Sequence, residues 1–311
     1  MSVTPPTPAG DVWTVRRILE WTVPHLKSHR SESARLDAEI LLAHARGCPR
    51  IQLYTNYDEP LTDTQRATMR DLVKRRAAAE PVAYLVGHRE FFGLDFQVTK
   101  DVLIPRPDTE TLIVEAIESL KSQTAARVLD VGTGSGCIAI ALAVNCPNVS
   151  ITAIDLSPAA LDIARANADK HNVGDRIRWL NGDLLTPLEA SEQFDLIASN
   201  PPYIASAEIE TLSADVRLHE PRSALDGGPD GLDVIRRLIA DAPRHLVSQG
   251  KLLMEISGEQ ADAVTQLLTA NGHYDDIAVL KDLAKQPRVV RAVRNKVEAA
   301  PLVQDSSQER R

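Results

Sequence analysis

The chain has 311 residues, 43% hydrophobic and 25% charged, enough for one large domain or two modest ones around a sizeable core. Its formal net charge of −8 argues against a broad nucleic-acid surface, which needs clustered Lys and Arg, although a local basic patch remains compatible with it. Cys48, Cys137 and Cys146 form no C-x-x-C pair, so neither a zinc cluster nor a disulfide framework is implied, and no metal site is expected. The opening MSVTPPTPAGD lacks a basic n-region and an apolar h-region, and no apolar run approaches a membrane span. A soluble, cytoplasmic, monomeric protein with no membrane contact is expected.

Residues 1–10 are rich in Pro and Thr and read as disordered. The pattern is helical over 11–80. Trp13, Arg16, Arg17, Leu19 and Glu20 fit a short amphipathic helix stopped near Pro24. Ser31 or Ser33 is placed to cap a second helix with Leu36, Ile40 and Leu41 as its apolar stripe and Gly47 after its end. Thr62 and Gln65 have capping-box spacing, and the helix they start turns Met69, Leu72 and Val73 inward. Its Lys74, Arg75 and Arg76 read as a solvated last turn that suits the helix dipole; the sharper alternative is a basic docking patch. Residues 1–80 are assigned to a helical N-terminal domain that docks substrate.

Pro81 breaks that helix, and Glu90–Phe96 reads as two short strands around a turn, so 81–105 is assigned to a β-hairpin connector. Phe91, Phe92 and Phe96 are expected to form a small hydrophobic cluster beneath it.

From 127 onward strands and helices alternate. Strands are expected at Arg127–Gly132, Ser150–Leu156, Ile177–Asp183, Phe194–Asn200, Gly250–Ile256, Tyr274–Asp282 and Arg288–Arg294, with helices including Pro158–His171 and Leu232–Leu246. Leu283–Pro287 is too short for a crossover, so the last two strands must be antiparallel neighbours. The predicted fold is α/β: a Rossmann-like, seven-stranded methyltransferase sheet over 106–295 with a small helical N-terminal domain. Residues 296–311 read as a disordered tail.

The first strand runs into Asp130-Val131-Gly132-Thr133-Gly134-Ser135-Gly136. Such a turn lies at the carboxyl edge of the sheet, where ligands bind. A dinucleotide fingerprint needs Gly or Ala where Cys137 stands, so a nucleoside site is favoured over a pyrophosphate cradle. Asp155 ends the second strand at the distance expected of a ribose-binding carboxylate; Ser157, followed by Pro158, is the better helix cap. Asp183, ending the third strand, is placed to reach an adenine amino group, and Leu184 to pack on the ring. Asp130 either holds the loop or faces the ammonium of a methionine moiety.

Asn200-Pro201-Pro202-Tyr203 follows the fourth strand and is the most specific signal in the chain. The Pro pair removes two backbone donors, leaving acceptors: the Asn200 side-chain oxygen and the Pro201 carbonyl. Two such acceptors fit the two N–H bonds of a planar NH2 group, and Tyr203 is placed to lie over that group. An amide nitrogen is a poor nucleophile because its lone pair is delocalised. Fixed acceptors that polarise and aim it toward the sulfonium methyl of S-adenosylmethionine supply what the reaction needs, with no metal and no covalent nucleophile.

These residues resemble the bacterial release factor glutamine methyltransferases, the PrmC/HemK family, over about 12–295. The shared segments are P-V-A-Y-L-V-G-H-R-E-F-F-G-L-D-F (81–96), L-I-P-R-P-D-T-E (103–110), D-V-G-T-G-S-G (130–136), N-P-P-Y-I (200–204) and E-P-R-S-A-L-D-G-G-P-D-G-L (220–232). The resemblance implies methylation of the side-chain amide of the glutamine in the Gly-Gly-Gln motif of peptide chain release factors. By motif matching it implies that Gly132, Thr133, Gly134, Ser135, Gly136 and Asp155 hold the cofactor; Asp183, Leu184 and Asn200 are expected to border the same cofactor site. It implies that Asn200, Pro201, Pro202 and Tyr203 hold the glutamine. It also places Arg106, Pro107 and Glu110 near the cofactor mouth and makes 201–231 part of a substrate channel. The final hairpin departs from the family's glycine-containing turn, with Ala284, Lys285 and Gln286.

The main alternative is an adenine-N6 DNA or RNA methyltransferase, whose target is also a planar NH2. The acidic charge and the lack of a nucleic-acid module weigh against it, and no direct nucleic-acid contact is expected. Cys137 and N-P-P-Y weigh against a nicotinamide oxidoreductase on the same kind of sheet. The intact glycine loop, Asp155 and Asn200 weigh against a silent scaffold.

Overall fold

The structure is a computed structural model that describes residues 12–296; the expected leader 1–10 and all but Lys296 of the expected tail lie outside the described residues. The N-terminal part comprises α1 (Val15–Ser28), α2 (Ala34–Arg46), a single turn α3 (Gln52–Thr55), α4 (Asp63–Ala77) and α5 (Val82–Val86). Their apolar faces converge on one cluster that includes Val15, Leu19, Leu41, Leu42, Met69 and Leu72. Each such side chain contributes roughly 1.5–3 kcal/mol by leaving water. The Thr62–Gln65 capping box forms at the start of α4, and Gly47 ends α2 in the left-handed region at φ 63°.

Three details of this part differ from the sequence reading. Pro24 does not stop α1, which runs on to Ser28. The carbonyl left without a partner by the proline ring is that of Glu20, on the exposed face, where water can satisfy it. In α2, Leu36 is 42% exposed, and the expected Leu41 is buried with Ala34, Ala38 and Leu42. Arg76 is not a solvated end residue: it donates to Asp37 at 2.8 Å across the helix pair, and both side chains are nearly buried.

In the connector, β1 (His88–Phe91) pairs antiparallel with β2 (Leu94–Gln97). Phe92 and Gly93 turn between them, both at positive φ, as a tight two-residue hairpin requires. Phe91 and Phe96 meet edge to face at 6.1 Å, and both belong to the main core beneath the sheet, not to a separate small cluster.

The remaining elements are α6 (Glu110–Leu120), β3 (Ala126–Val131), α7 (Cys137–Asn145), β4 (Val149–Asp155), α8 (Pro158–Lys170), β5 (Ile177–Asn181), β6 (Phe194–Ser199), α9 (Ala214–His219), α10 (Asp233–His245), β7 (Leu246–Glu255), α11 (Ala261–Asn271), β8 (Tyr274–Lys281) and β9 (Pro287–Arg294). The sheet has seven strands in the order β5-β4-β3-β6-β7-β9-β8. The five strands β5 to β7 are parallel, and β9 is antiparallel to both of its neighbours. This is a Rossmann-like methyltransferase fold with the antiparallel final pair that the short Leu283–Pro287 link demanded. Strand β7 begins four residues before Gly250 because a bulge lets Leu246 pair with Phe194. No helix among the described residues is long and apolar enough to cross a membrane.

The chain order reverses at β3 and β6, so a crevice opens outside the carboxyl ends of β3, β4 and β6. That crevice receives the glycine loop, Asp155 and the Asn200 motif.

Candidate active site

The glycine loop folds as its sequence dictates. Gly132 and Gly134 sit at φ 73° and 55°, and a side chain on either would meet no atom within 4 Å, so the loop presents bare backbone to open space. Gly136 does a different job. A Cβ there would come within 2.8 Å of Ile140 and 3.2 Å of Ala164, so this glycine lets α7 and α8 pack closely.

Asp130 is fully buried, and one of its oxygens accepts from the Thr133 hydroxyl at 2.6 Å and from the Ala139 N–H at 3.1 Å. It therefore holds the loop onto α7. Burial pushes its carboxyl up to about 7. Asn167 of α8, also fully buried, donates to the Ser135 and Gln97 carbonyls and accepts from the Gln97 N–H, which ties the loop to the connector hairpin.

A cavity of about 440 Å³ opens beside this loop. Gly132, Thr133, Gly134, Ser135, Asp155, Asp183, Leu184, Asn200 and Pro202 all line it, so the structure brings most of the residues singled out from sequence to one cavity. Gly136, Pro201 and Tyr203 are not part of that lining. Asp155 accepts from the Gly134 N–H at 2.8 Å on one oxygen and from the Ser157 N–H at 2.9 Å on the other. Each oxygen keeps acceptor capacity for a ribose hydroxyl. Burial pushes its carboxyl up, and those backbone bonds pull it back. Ser157 caps α8 by accepting from the Ala160 N–H, which leaves Asp155 free of that task.

Asp183 lies two residues past the end of β5, not within the strand, because β5 stops at Asn181 and the chain turns at Gly182. Its carboxylate accepts from Arg237 at 2.6 Å, a half-exposed pair on the cavity rim. Leu184 is half-buried at φ 50° and lines the same cavity.

Asn200 follows β6 directly. Its amide nitrogen donates to Thr109 Oγ1 at 3.1 Å, and the Thr109 hydroxyl donates to Glu255 at 2.6 Å. The other Glu255 oxygen accepts from the Tyr203 hydroxyl at 3.2 Å. Burial pushes the Glu255 carboxyl up, and the Thr109 and Tyr203 bonds and nearby Arg288 pull it back. Tyr203 is thus anchored by its hydroxyl.

The D-G-G-P-D-G stretch explains how the motif is supported. A Cβ on Gly227 would lie 2.8 Å from the Pro202 carbonyl, and one on Gly231 would lie 2.3 Å from the Tyr203 carbonyl. Only glycine permits this approach. Gln260 then donates to the Tyr203 and Gly231 carbonyls at 2.9 and 3.2 Å. From 201–231, Pro221, Ser223 and Ala224 reach the cavity wall. Arg106 also lines the cavity and pairs with buried Glu220, while Glu110 accepts from the Phe92 N–H in the connector turn.

Thr109, Asn167, Glu220, Glu255 and Gln260 were not singled out as site residues from sequence. For Glu255 a signal existed: a lone carboxylate closing the apolar run Leu252-Leu253-Met254, on the strand beside Asn200.

A second concavity, of about 750 Å³, lies between α1 and α4. Trp13, Ile18, Trp21, Met69 and Val73 give it an apolar wall, with Arg66, Arg70 and Lys74 among its lining and no carboxylate. Trp21 stacks on His25 at 4.8 Å and remains 52% exposed.

Comparison with known proteins fits both parts. The PrmC N-terminal domain family matches residues 17–87, and the methyltransferase small domain family matches 109–228. The release factor glutamine methyltransferase of Rhodopirellula baltica is 47% identical, covering 89% of this chain and 95% of its own length. The chain belongs to the release factor glutamine methyltransferase family. The member from Geobacter sulfurreducens is 45% identical over 86% of this chain and 93% of its own. The member from Burkholderia pseudomallei is 45% identical over 81% and 90%. S-adenosylmethionine is the methyl donor of such enzymes, and the cavity offers donors and acceptors of the right kind for it. Among solved structures, the hMettl16 catalytic domain shares the fold, with a TM-score of 0.55 and 15% identity over 71% of this chain and 81% of that one.

Proposed function

We propose that this protein transfers a methyl group from S-adenosylmethionine to the side-chain amide nitrogen of the glutamine in the Gly-Gly-Gln motif of peptide chain release factors. One observation carries the reading: Asn200 lines the same cavity as the glycine loop and Asp155, at the carboxyl edge of adjacent strands. Cofactor and acceptor amide thereby share one chamber.

The residues divide the work as follows. Asp155 takes the ribose hydroxyls, the Gly132–Ser135 backbone lies against the cofactor, and Asp183 and Leu184 border the adenine. The bound cofactor supplies an electrophilic methyl on a sulfonium. The Asn200 oxygen and the Pro201 carbonyl accept the two N–H bonds of the glutamine amide and aim its nitrogen. Tyr203, fixed by its hydroxyl, closes the site against the flat amide, and Pro202 stiffens the chain between them.

Residues 12–80 dock the folded substrate. The groove between α1 and α4 is apolar with a cationic rim, so it suits an acidic, amphipathic segment of the release factor. The enzyme acts as a cytoplasmic monomer, without direct nucleic-acid contact. The direct test is transfer of labelled methyl to purified release factor and to a version with the motif glutamine replaced by alanine. Label on the first and none on the second supports the reading; equal label on both overturns it.

A further inference from the structure

We propose that Thr109 and Glu255 are positioning residues that dictate which end of the Asn200 amide faces the substrate. The inference rests on the reading of Asn200 as an acceptor for the glutamine NH2. It follows from counting protons.

An asparagine amide is nearly symmetric in shape, but one end donates and the other accepts. The acceptor role needs Oδ1 toward the substrate, so something must hold Nδ2 on the opposite side. Thr109 Oγ1 is the partner at 3.1 Å. A hydroxyl has a single proton to give. That of Thr109 goes to Glu255 at 2.6 Å, the short separation of an O–H bond to a carboxylate.

Both Thr109 and Glu255 are buried, at 1% and 0% exposure, so water does not compete for these bonds. Glu255 is further occupied by the Tyr203 hydroxyl at 3.2 Å. With its proton committed, Thr109 offers Asn200 only lone pairs. The amide nitrogen must turn toward it, and the oxygen is left for the substrate side. The reversed amide would set two acceptors against each other with no proton between them.

The placement explains why the carboxylate is there. Glu255 closes β7, the strand next to β6, and Thr109 precedes α6; the chain between them spans 146 residues. Such a long-range polar network in the core needs a reason beyond stability, because apolar side chains would fill the space at lower cost. A sheet-anchored carboxylate that orders two hydroxyls, one serving Asn200 and one belonging to Tyr203, supplies that reason.

The test compares binding of two short peptides in the presence of S-adenosylhomocysteine, one carrying Gly-Gly-Gln and one with glutamate in place of the glutamine. A glutamate carboxylate only accepts, so the Asn200 oxygen disfavours it. Wild type and Thr109→Ser, which keeps the hydroxyl, prefer the glutamine peptide. Thr109→Val releases the amide to turn, and the preference falls by about 10-fold or more. Its kcat falls in step while S-adenosylmethionine affinity holds.

A Thr109→Val protein with wild-type preference and turnover overturns the proposal, as does one that loses only thermal stability. Glu255→Gln gives a second reading if the valine variant folds poorly. Its amide can donate to Thr109 and free the threonine proton, so the preference falls here too; an unchanged preference contradicts the proposal. Normal turnover by Asn200→Ala instead sinks the underlying acceptor role, a separate failure.

Discussion

The two concavities of this molecule are built on opposite plans. The cavity at the sheet edge is surrounded by buried polar groups, each tied down more than once: Asp130 to the loop and α7, Asn167 to the loop and hairpin, Glu255 to Thr109 and Tyr203. The groove between α1 and α4 is walled by Trp, Ile, Met and Val, with the cationic Arg66, Arg70 and Lys74 among its lining. Methyl transfer loses rate when atoms are misplaced by about 1 Å, so its site is held by short directional bonds. Docking of a large partner tolerates such errors, because it draws on apolar area and long-range charge. The contrast predicts that the two functions separate under mutation.

The largest effect falls on the rigid site. Asn200→Ala lowers kcat by roughly 10²–10³-fold, the scale of removing one preorganised polar contact to the reacting group, with cofactor affinity nearly unchanged. Steady-state kinetics beside calorimetric titration of S-adenosylmethionine read both quantities; a variant with wild-type kcat removes the acceptor role.

The groove yields a smaller effect of another kind. Arg70→Glu with Lys74→Glu raises KM for intact release factor about tenfold, and added salt weakens the wild-type interaction in the same direction. Turnover of a short Gly-Gly-Gln peptide stays as in wild type. Equal losses on peptide and intact factor would merge the two regions that the account keeps apart.

A subtler distinction lies in pH. Burial raises the Asp130 carboxyl to about 7, so the folded protein holds a proton there that the unfolded chain releases near pH ~4. The associated stability is fully present below the unfolded value and is lost as pH rises through about 7. Asp130→Asn keeps one oxygen for Thr133 and Ala139 and does not titrate. Denaturant melts of both proteins should therefore show wild type losing ground to the variant between pH ~4 and 7 and none beyond. A constant difference across that window contradicts the burial argument.

The smallest effect is at the far edge of the sheet. Lys285 occupies the left-handed region at φ 65° where relatives of this family were expected to use glycine, and Asp282 supports the turn by accepting from the Gln286 N–H. Lys285→Gly should raise the unfolding free energy by about 0.5–1 kcal/mol without touching activity. A lower melting midpoint would show that the turn gains more from lysine than its backbone loses.

How much of this could be read from the chain follows the same divide. The sheet was legible because period-2 apolar runs, the glycine loop and the short Leu283–Pro287 link constrain topology locally. Asp155 and Asn200 were legible because each ends a strand at the edge where ligands collect. Thr109 was not, and Glu255 showed only as a lone carboxylate closing an apolar run, because their shared role is a hydrogen bond between residues 146 apart, which no local pattern encodes. The reading of α1 failed at Pro24 because the proline's cost depends on whether the orphaned carbonyl faces water, which only the packed structure decides. Arg76 was misjudged for the same reason, since its partner Asp37 sits on another helix.

The most direct measurement is fragmentation mass spectrometry of release factor and duplex DNA incubated together with this protein and S-adenosylmethionine. The account predicts a single added methyl on the side-chain amide nitrogen of the Gly-Gly-Gln glutamine and unmodified DNA. Methyladenine in the DNA with unmodified release factor would leave the cofactor chamber standing and contradict the substrate.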